Sequence, residues 1–218
     1  MFVLYEFSRT VRIDPKNLTQ NRKDAITDEL NRLFANRVII DVGLCMALWD
    51  IKSIGLGSYF PGDGGVHSPV DFRFIVFRPF QDEILVGKIK NCTREGVHVT
   101  LGFFDDILIP PEGLQFPSKF DEREQTWVWE YQQEGEEVSH DLYMDKGQQL
   151  KCRIIGEQFD DMNTTLATVP PTSGVGTASQ PGPSTAQAGG DTNTGPKVPF
   201  MLTASINEPG LGLLSWWD

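Results

Sequence analysis

The chain has 218 residues, 39% of them hydrophobic, and a formal net charge of −11. That is enough apolar material for one large core or two small ones, and it excludes a fibre, a repeat array and a wholly disordered chain. An acidic body is a poor general binder of nucleic acid, so any RNA contact has to come from a local basic patch.

Three cysteines, Cys45, Cys92 and Cys152, stand far apart in apolar runs. An odd, unclustered set fits neither a disulfide framework nor a four-cysteine zinc site, and these thiols read as small buried hydrophobes. The opening Met-Phe-Val-Leu-Tyr-Glu lacks the basic segment of a secretory signal. No window reaches the ~20 apolar residues that a membrane helix needs, so a soluble intracellular protein is expected.

Residues 2–13 largely alternate, with Val3, Tyr5, Phe7, Val11 and Ile13 on one parity, which predicts a strand with one wet face. Ile26, Leu30, Leu33 and Phe34 then share one helical stripe, and Asn36 is a suitable stop because Asn tolerates the left-handed conformation. Residues 38–51 are β-rich, and 70–78 form another strand. The five glycines and one proline of Gly55–Gly65 mark a loop. The first ~80 residues therefore read as a small α+β unit on an antiparallel sheet.

From Asp82 the pattern becomes one of short strands and turns: Ile84–Cys92, Val97–Phe103, Ile107–Ile109, Thr126–Tyr131 and Leu150–Phe159. In the second of these Val97, Val99, Leu101 and Phe103 are expected to point inward. Strands at this spacing predict a small barrel. Residues 162–197 are rich in Thr, Ser, Gly, Pro and Ala, have no aromatic, and carry Asp191 and Lys197 as their only charges. Such a stretch lacks the apolar surface to offset its ordering entropy and is expected to be disordered. Val198–Ile206 is apolar again and should return as the last barrel strand.

The run Gly87-Lys-Ile-Lys-Asn-Cys-Thr-Arg-Glu-Gly96-Val-His-Val resembles the opening of an S1-type RNA-binding barrel. Longer stretches point further: Phe60-Pro-Gly-Asp-Gly64, Phe77-Arg-Pro-Phe80, Gly96-Val-His-Val-Thr-Leu-Gly-Phe-Phe-Asp-Asp, Trp127-Val-Trp-Glu-Tyr131 and Leu213-Leu-Ser-Trp-Trp217. Together they resemble the stalk-subunit family of eukaryotic RNA polymerase III, which has an archaeal relative known as E′. The resemblance implies an α+β N-terminal ribonucleoprotein-like tip domain (1–80) followed by an all-β S1/OB-fold barrel (81–161 and 198–218). It also implies a nuclear, non-catalytic protein with no cofactor. The implied partners are a smaller helical stalk subunit, the polymerase core and single-stranded nascent RNA.

OB barrels bind single strands by stacking bases on outward aromatics and tracking phosphates with cations. The candidate RNA contacts are Lys88, Lys90, Arg94, His98, Lys151 and Arg153. The position of a second stacking aromatic is taken by Ile107, and Asp105-Asp106 weakens the patch. The candidate core-docking loop is Phe60, Pro61, Gly62, Asp63 and Gly64. Of Trp127, Trp129, Tyr131, Trp216 and Trp217, at least half are expected in the barrel core. His67, His98 and His140 are isolated, and no nucleophile elbow or P-loop is present, so neither catalysis nor a metal site is expected. Two other readings are a free S1-type RNA-binding protein and an RNA-processing enzyme with an S1 appendage. The first has no need of a docking loop, and the second lacks a catalytic constellation.

Overall fold

A computed structural model describes residues 1–132, 139–160 and 198–217 of the chain. Strand β1 (Phe2–Ile13) is followed by helix α1 (Arg22–Phe34), then β2 (Arg37–Ile39), β3 (Gly43–Ile54), β4 (Ser58–Tyr59) and β5 (Val66–Phe77). These strands form one antiparallel sheet in the order β1-β5-β3-β2, with β4 paired to the start of β5. The helix begins where the side chain of Asn21 accepts from the Lys23 N–H at 3.2 Å, a standard N-cap arrangement. It ends against Asn36, whose φ is +57°. Its stripe of Ala25, Ile26, Leu30 and Phe34 packs on Val11, Ile13, Val70, Phe72, Phe74 and Val76 of the sheet. Three boundaries differ from the sequence reading. The strand expected at 70–78 runs Val66–Phe77. Residues 38–51 split into β2 and β3 at a turn around Asp41 (φ +62°), and the loop 55–65 holds the short strand β4.

The second unit is a closed barrel. Strands β6 (Ile84–Thr93), β7 (Gly96–Thr100), β8 (Ile107–Ile109), β12 (Gln149–Phe159) and β13 (Phe200–Ser205) follow the order β13-β8-β7-β6-β12, and β12 pairs back onto β13. The pairing of β13 with β8 is parallel; the others are antiparallel. Five strands closed in this way make an OB-type barrel. The tail segment is thus the strand that closes it. Gly96 makes the β6–β7 turn possible: its φ is +143°, and a Cβ there would lie 2.1 Å from the Ile109 carbonyl oxygen.

The segment Thr126–Tyr131 is not a barrel strand. It is β10 (Thr126–Gln132), the centre of a separate three-stranded sheet with β9 (Ser118–Asp121) and β11 (Ser139–Met144). That sheet lies against the barrel through Trp127, whose indole N–H donates to the Thr93 carbonyl at 2.8 Å. Trp127 is buried, and Trp129 and Trp216 pack partly buried beside it with ring centroids 5.0 Å apart. Tyr131 and Trp217 are exposed. The short strand β14 (Gly212–Leu213) pairs with β12.

The two units touch through a shared wall. Phe77 and Leu44, from the first sheet, belong to the barrel's core cluster. The Phe77 ring meets Phe103 and Phe104 at 5.0 and 5.1 Å. The segment 162–197 lies outside the described residues.

Candidate nucleic-acid interface and docking loop

Strands β7, β6 and β12 are neighbours, so the outward residues of all three form one strip. On β6 the buried Leu85, Gly87 and Ile89 alternate with the exposed Ile84, Val86, Lys88 and Lys90. Lys88 faces Gln149 of β12 on one side and Thr100 of β7 on the other. Lys151 and Arg153 follow on β12 opposite Val86 and Ile84. A groove of about 220 Å³ runs along Val86, Gly87, Lys88, Thr100, Leu101, Gly102 and Gln149.

The cations in this strip differ in what they face. Lys90 is paired with Asp105 at 3.0 Å, and Arg153 with Glu208 at 2.7 Å. Arg94, in the β6–β7 turn, is paired with Glu122 at 2.5 Å. Lys88 and Lys151 have no carboxylate partner among the described residues. The Thr100 hydroxyl, then the Lys90 ammonium, lower the Asp105 carboxyl; burial raises that of Asp106. His98 is half-buried, with Nε2 3.4 Å from the Thr93 hydroxyl. Ile107 is fully buried in the barrel core.

One aromatic is placed wrongly by alternation. β7 ends at Thr100, so Phe103 does not point inward with Val97 and Val99. Gly102, with φ +89°, turns the chain, and Phe103 stands 39% exposed with its ring against Phe2 and Phe77, at the junction with the first sheet. The glycine preceding it is the signal that alternation stops there.

The segment Phe60–Gly64 joins β4 to β5 at the end of the first sheet. Gly62 and Gly64 have positive φ, and Phe60 is exposed, its ring edge-on to His67 at 4.8 Å. Asp63 ties the loop down. Its carboxylate accepts from Arg12 Nε at 2.9 and 3.0 Å and lies 2.5 Å from His67 Nε2. The Arg12 guanidinium, then the imidazole, hold its carboxyl well below the usual range. Leu56 and Tyr59 beside the loop are strongly exposed, so the end of this sheet presents an apolar surface around a fastened turn.

No group of three or more His, Cys, Asp or Glu side chains is arranged to hold a metal among the described residues. All three cysteines are buried, and burial pushes the thiols of Cys45 and Cys152 up to about 11 and about 12. No helix among the described residues is long and apolar enough to cross a membrane.

Comparison with known proteins covers both units. Residues 83–217 match the model of the family described as RNA polymerase III subunit Rpc25. Residues 8–64 match the SHS2 domain found in the N terminus of Rpb7p/Rpc25p/MJ0397, which gives the sheet-and-helix unit its fold. The DNA-directed RNA polymerase III subunit RPC8 of Bos taurus is 52% identical over 219 residues, covering 100% of this chain and 98% of the relative. The rpc8 subunit of Schizosaccharomyces pombe is 35% identical over 221 residues and covers both chains completely. More distantly, the polymerase subunit Rpo7 of Saccharolobus shibatae is 27% identical over 108 residues, half of this chain.

Proposed function

The chain belongs to the RNA polymerase III subunit Rpc25 family, and from that membership we propose that it is a non-catalytic stalk subunit of RNA polymerase III, acting in the nucleus. The observation that carries this reading is similarity over the whole length of the chain, through both units, to relatives named as RNA polymerase III subunits. Residues 1–80 serve as the docking unit, and residues 81–161 with 198–218 as the unit that carries the barrel and its accessory sheet. Phe60–Gly64 seats on the polymerase core: the Asp63 contacts fix its shape, and the exposed Leu56, Tyr59 and Phe60 supply apolar surface to be covered. A smaller helical subunit completes the stalk.

Emerging single-stranded RNA passes over the outer strip of β6, β7 and β12. Lys88 and Lys151 track its phosphates, since their charges are not already neutralised by carboxylates among the described residues. Lys90, Arg94 and Arg153 contribute less, because each must first give up an ion pair. The contact is weak, salt-sensitive and indifferent to sequence.

The test is affinity purification of the tagged full chain from nuclear extract at moderate salt, followed by mass spectrometry. The expected result is near-stoichiometric recovery of the large RNA polymerase III subunits and one small helical partner. Recovery alone, or with ribosomal or exosome components, would overturn the assignment.

A further inference from the structure

Strand β1 is twelve residues long and pairs along its full length with β5, in unbroken register, and with no other strand among the described residues. In an antiparallel pair about half of the backbone N–H and C=O groups point away from the partner. Those of β1 on the side opposite β5 are paired with no other strand among the described residues. Natural sheets guard such edges with Lys, Pro, bulges or short strands. The opposite edge of this sheet shows these devices: β3 carries Lys52 and three breaks in register, and β2 is three residues long. The free edges of the three-stranded sheet are also short, since β9 has four residues and β11 six. β1 has no Pro and no bulge; its charges, Glu6, Arg9 and Arg12, begin only near its middle, and the residues before Glu6 are uncharged and expose Phe2, Leu4 and Tyr5.

We propose that β1 is an acceptor edge, onto which an extended segment of a second polypeptide of the assembly adds as an antiparallel strand. The inference rests on the reading of the chain as a polymerase subunit. The side chains around the edge state the chemistry of the incoming segment. Against Phe2–Phe7 it meets apolar side chains on both faces: Leu4 on one, Tyr5 and Phe7 on the other, the last two with rings 4.8 Å apart. Further along, Arg9 is exposed and lies over the Phe34 ring at 5.4 Å with no carboxylate partner among the described residues, whereas Glu6 is already bound by Lys52. An antiparallel strand therefore needs carboxylates in its N-terminal half, opposite Arg9, and apolar residues on both faces in its C-terminal half. This is strand addition, in which main-chain bonds give affinity and side chains give choice of partner.

Residue-resolved hydrogen exchange on the full chain, free and within purified RNA polymerase III, tests it. The expected result is that alternate amides of residues 2–9 exchange fast in the free chain and slow at least about tenfold in the polymerase, as amides entering a ladder do. Photo-cross-linking from p-benzoylphenylalanine placed at Leu4 and at Glu6 should mark residues two apart in one segment of one partner. Tyr5→Lys, at an exposed position, should cost that partner but not the fold. If the chain is present in the polymerase and the β1 amides stay fast, the acceptor edge is wrong and the subunit reading stands. Cross-links three or four residues apart mean a helical partner and also overturn it. If the chain is absent from the polymerase, both fail together.

Discussion

Asp63 shows how one carboxylate can set the shape of a functional loop. It sits in a turn that Gly62 and Gly64 make sterically possible, and binds two groups from β1 and β5. Its folded-state pKa is depressed, so its stabilisation is complete above the unfolded value of about 3.9 and fades as pH falls through the folded value. Asp63→Asn should therefore lower the melting temperature above about pH 5, and the gap to the wild type should close as the solution is acidified below about pH 4. The group is exposed, so solvent screening keeps that gap small; melting curves across pH would measure it. Gly96 is a residue of the opposite kind, needed for its missing side chain. Gly96→Ala forces a Cβ into the Ile109 carbonyl at an unfavourable φ and should cost at least about 1–3 kcal/mol in urea unfolding.

At the scale of elements, β5 and β6 carry most of the consequence. β5 runs through the centre of the first sheet between β1 and β3, and its Phe72 is fully buried beneath Phe7 and Phe34. Phe72→Ala should cost about 3–5 kcal/mol, the range for removing a buried aromatic, read as a fall in the denaturant midpoint. β6 sends its even-numbered cations outward, but only its neighbours decide which of them stay available. Lys88→Ala combined with Lys151→Ala should weaken binding of a single-stranded oligonucleotide and reduce the salt slope by about 0.7 for each phosphate that is no longer neutralised. Lys90→Ala should change it far less, because Asp105 already neutralises that ammonium. Fluorescence anisotropy at several salt concentrations separates the two, and equal effects would mean that ion pairing does not decide which lysines meet the strand.

For the whole molecule, the decisive feature is that the two units share side chains. Phe77 and Leu44 leave the first sheet and enter the barrel core, and Arg78 reaches across the same junction to Glu157 at 2.5 Å. One cooperative unfolding transition is expected for the full chain. Phe77→Ala removes the ring that packs on Phe103 and Phe104, and calorimetry should then resolve two transitions. Charge is also distributed unequally. The first eighty residues are nearly balanced, so the net −11 belongs almost entirely to the remainder. The barrel unit therefore keeps polyanions off most of its surface, and a channel for RNA along the Lys88 strip would be bounded by repulsion on either side.

Period-two alternation is enough to find β1, β5, β6 and β12, and the stripe from Ile26 to Phe34 is enough to find α1, because each of these elements has one buried face whose period is written in local order. The strand after residue 197 is also legible, since an apolar run behind a polar segment has to return to a core. Pairing is not legible. That Thr126–Gln132 leaves the barrel for a sheet of its own, that β7 stops before Phe103, and that Lys90, Arg94 and Arg153 are neutralised by Asp105, Glu122 and Glu208 all depend on residues distant in the chain. Sequence determined where these elements run and most of their buried faces, though in the first half of β1 the expected inward Tyr5 is exposed. The tertiary structure alone decided which wet charges remain free, because an ion pair is a property of distance in space, and local periodicity holds no information about that distance.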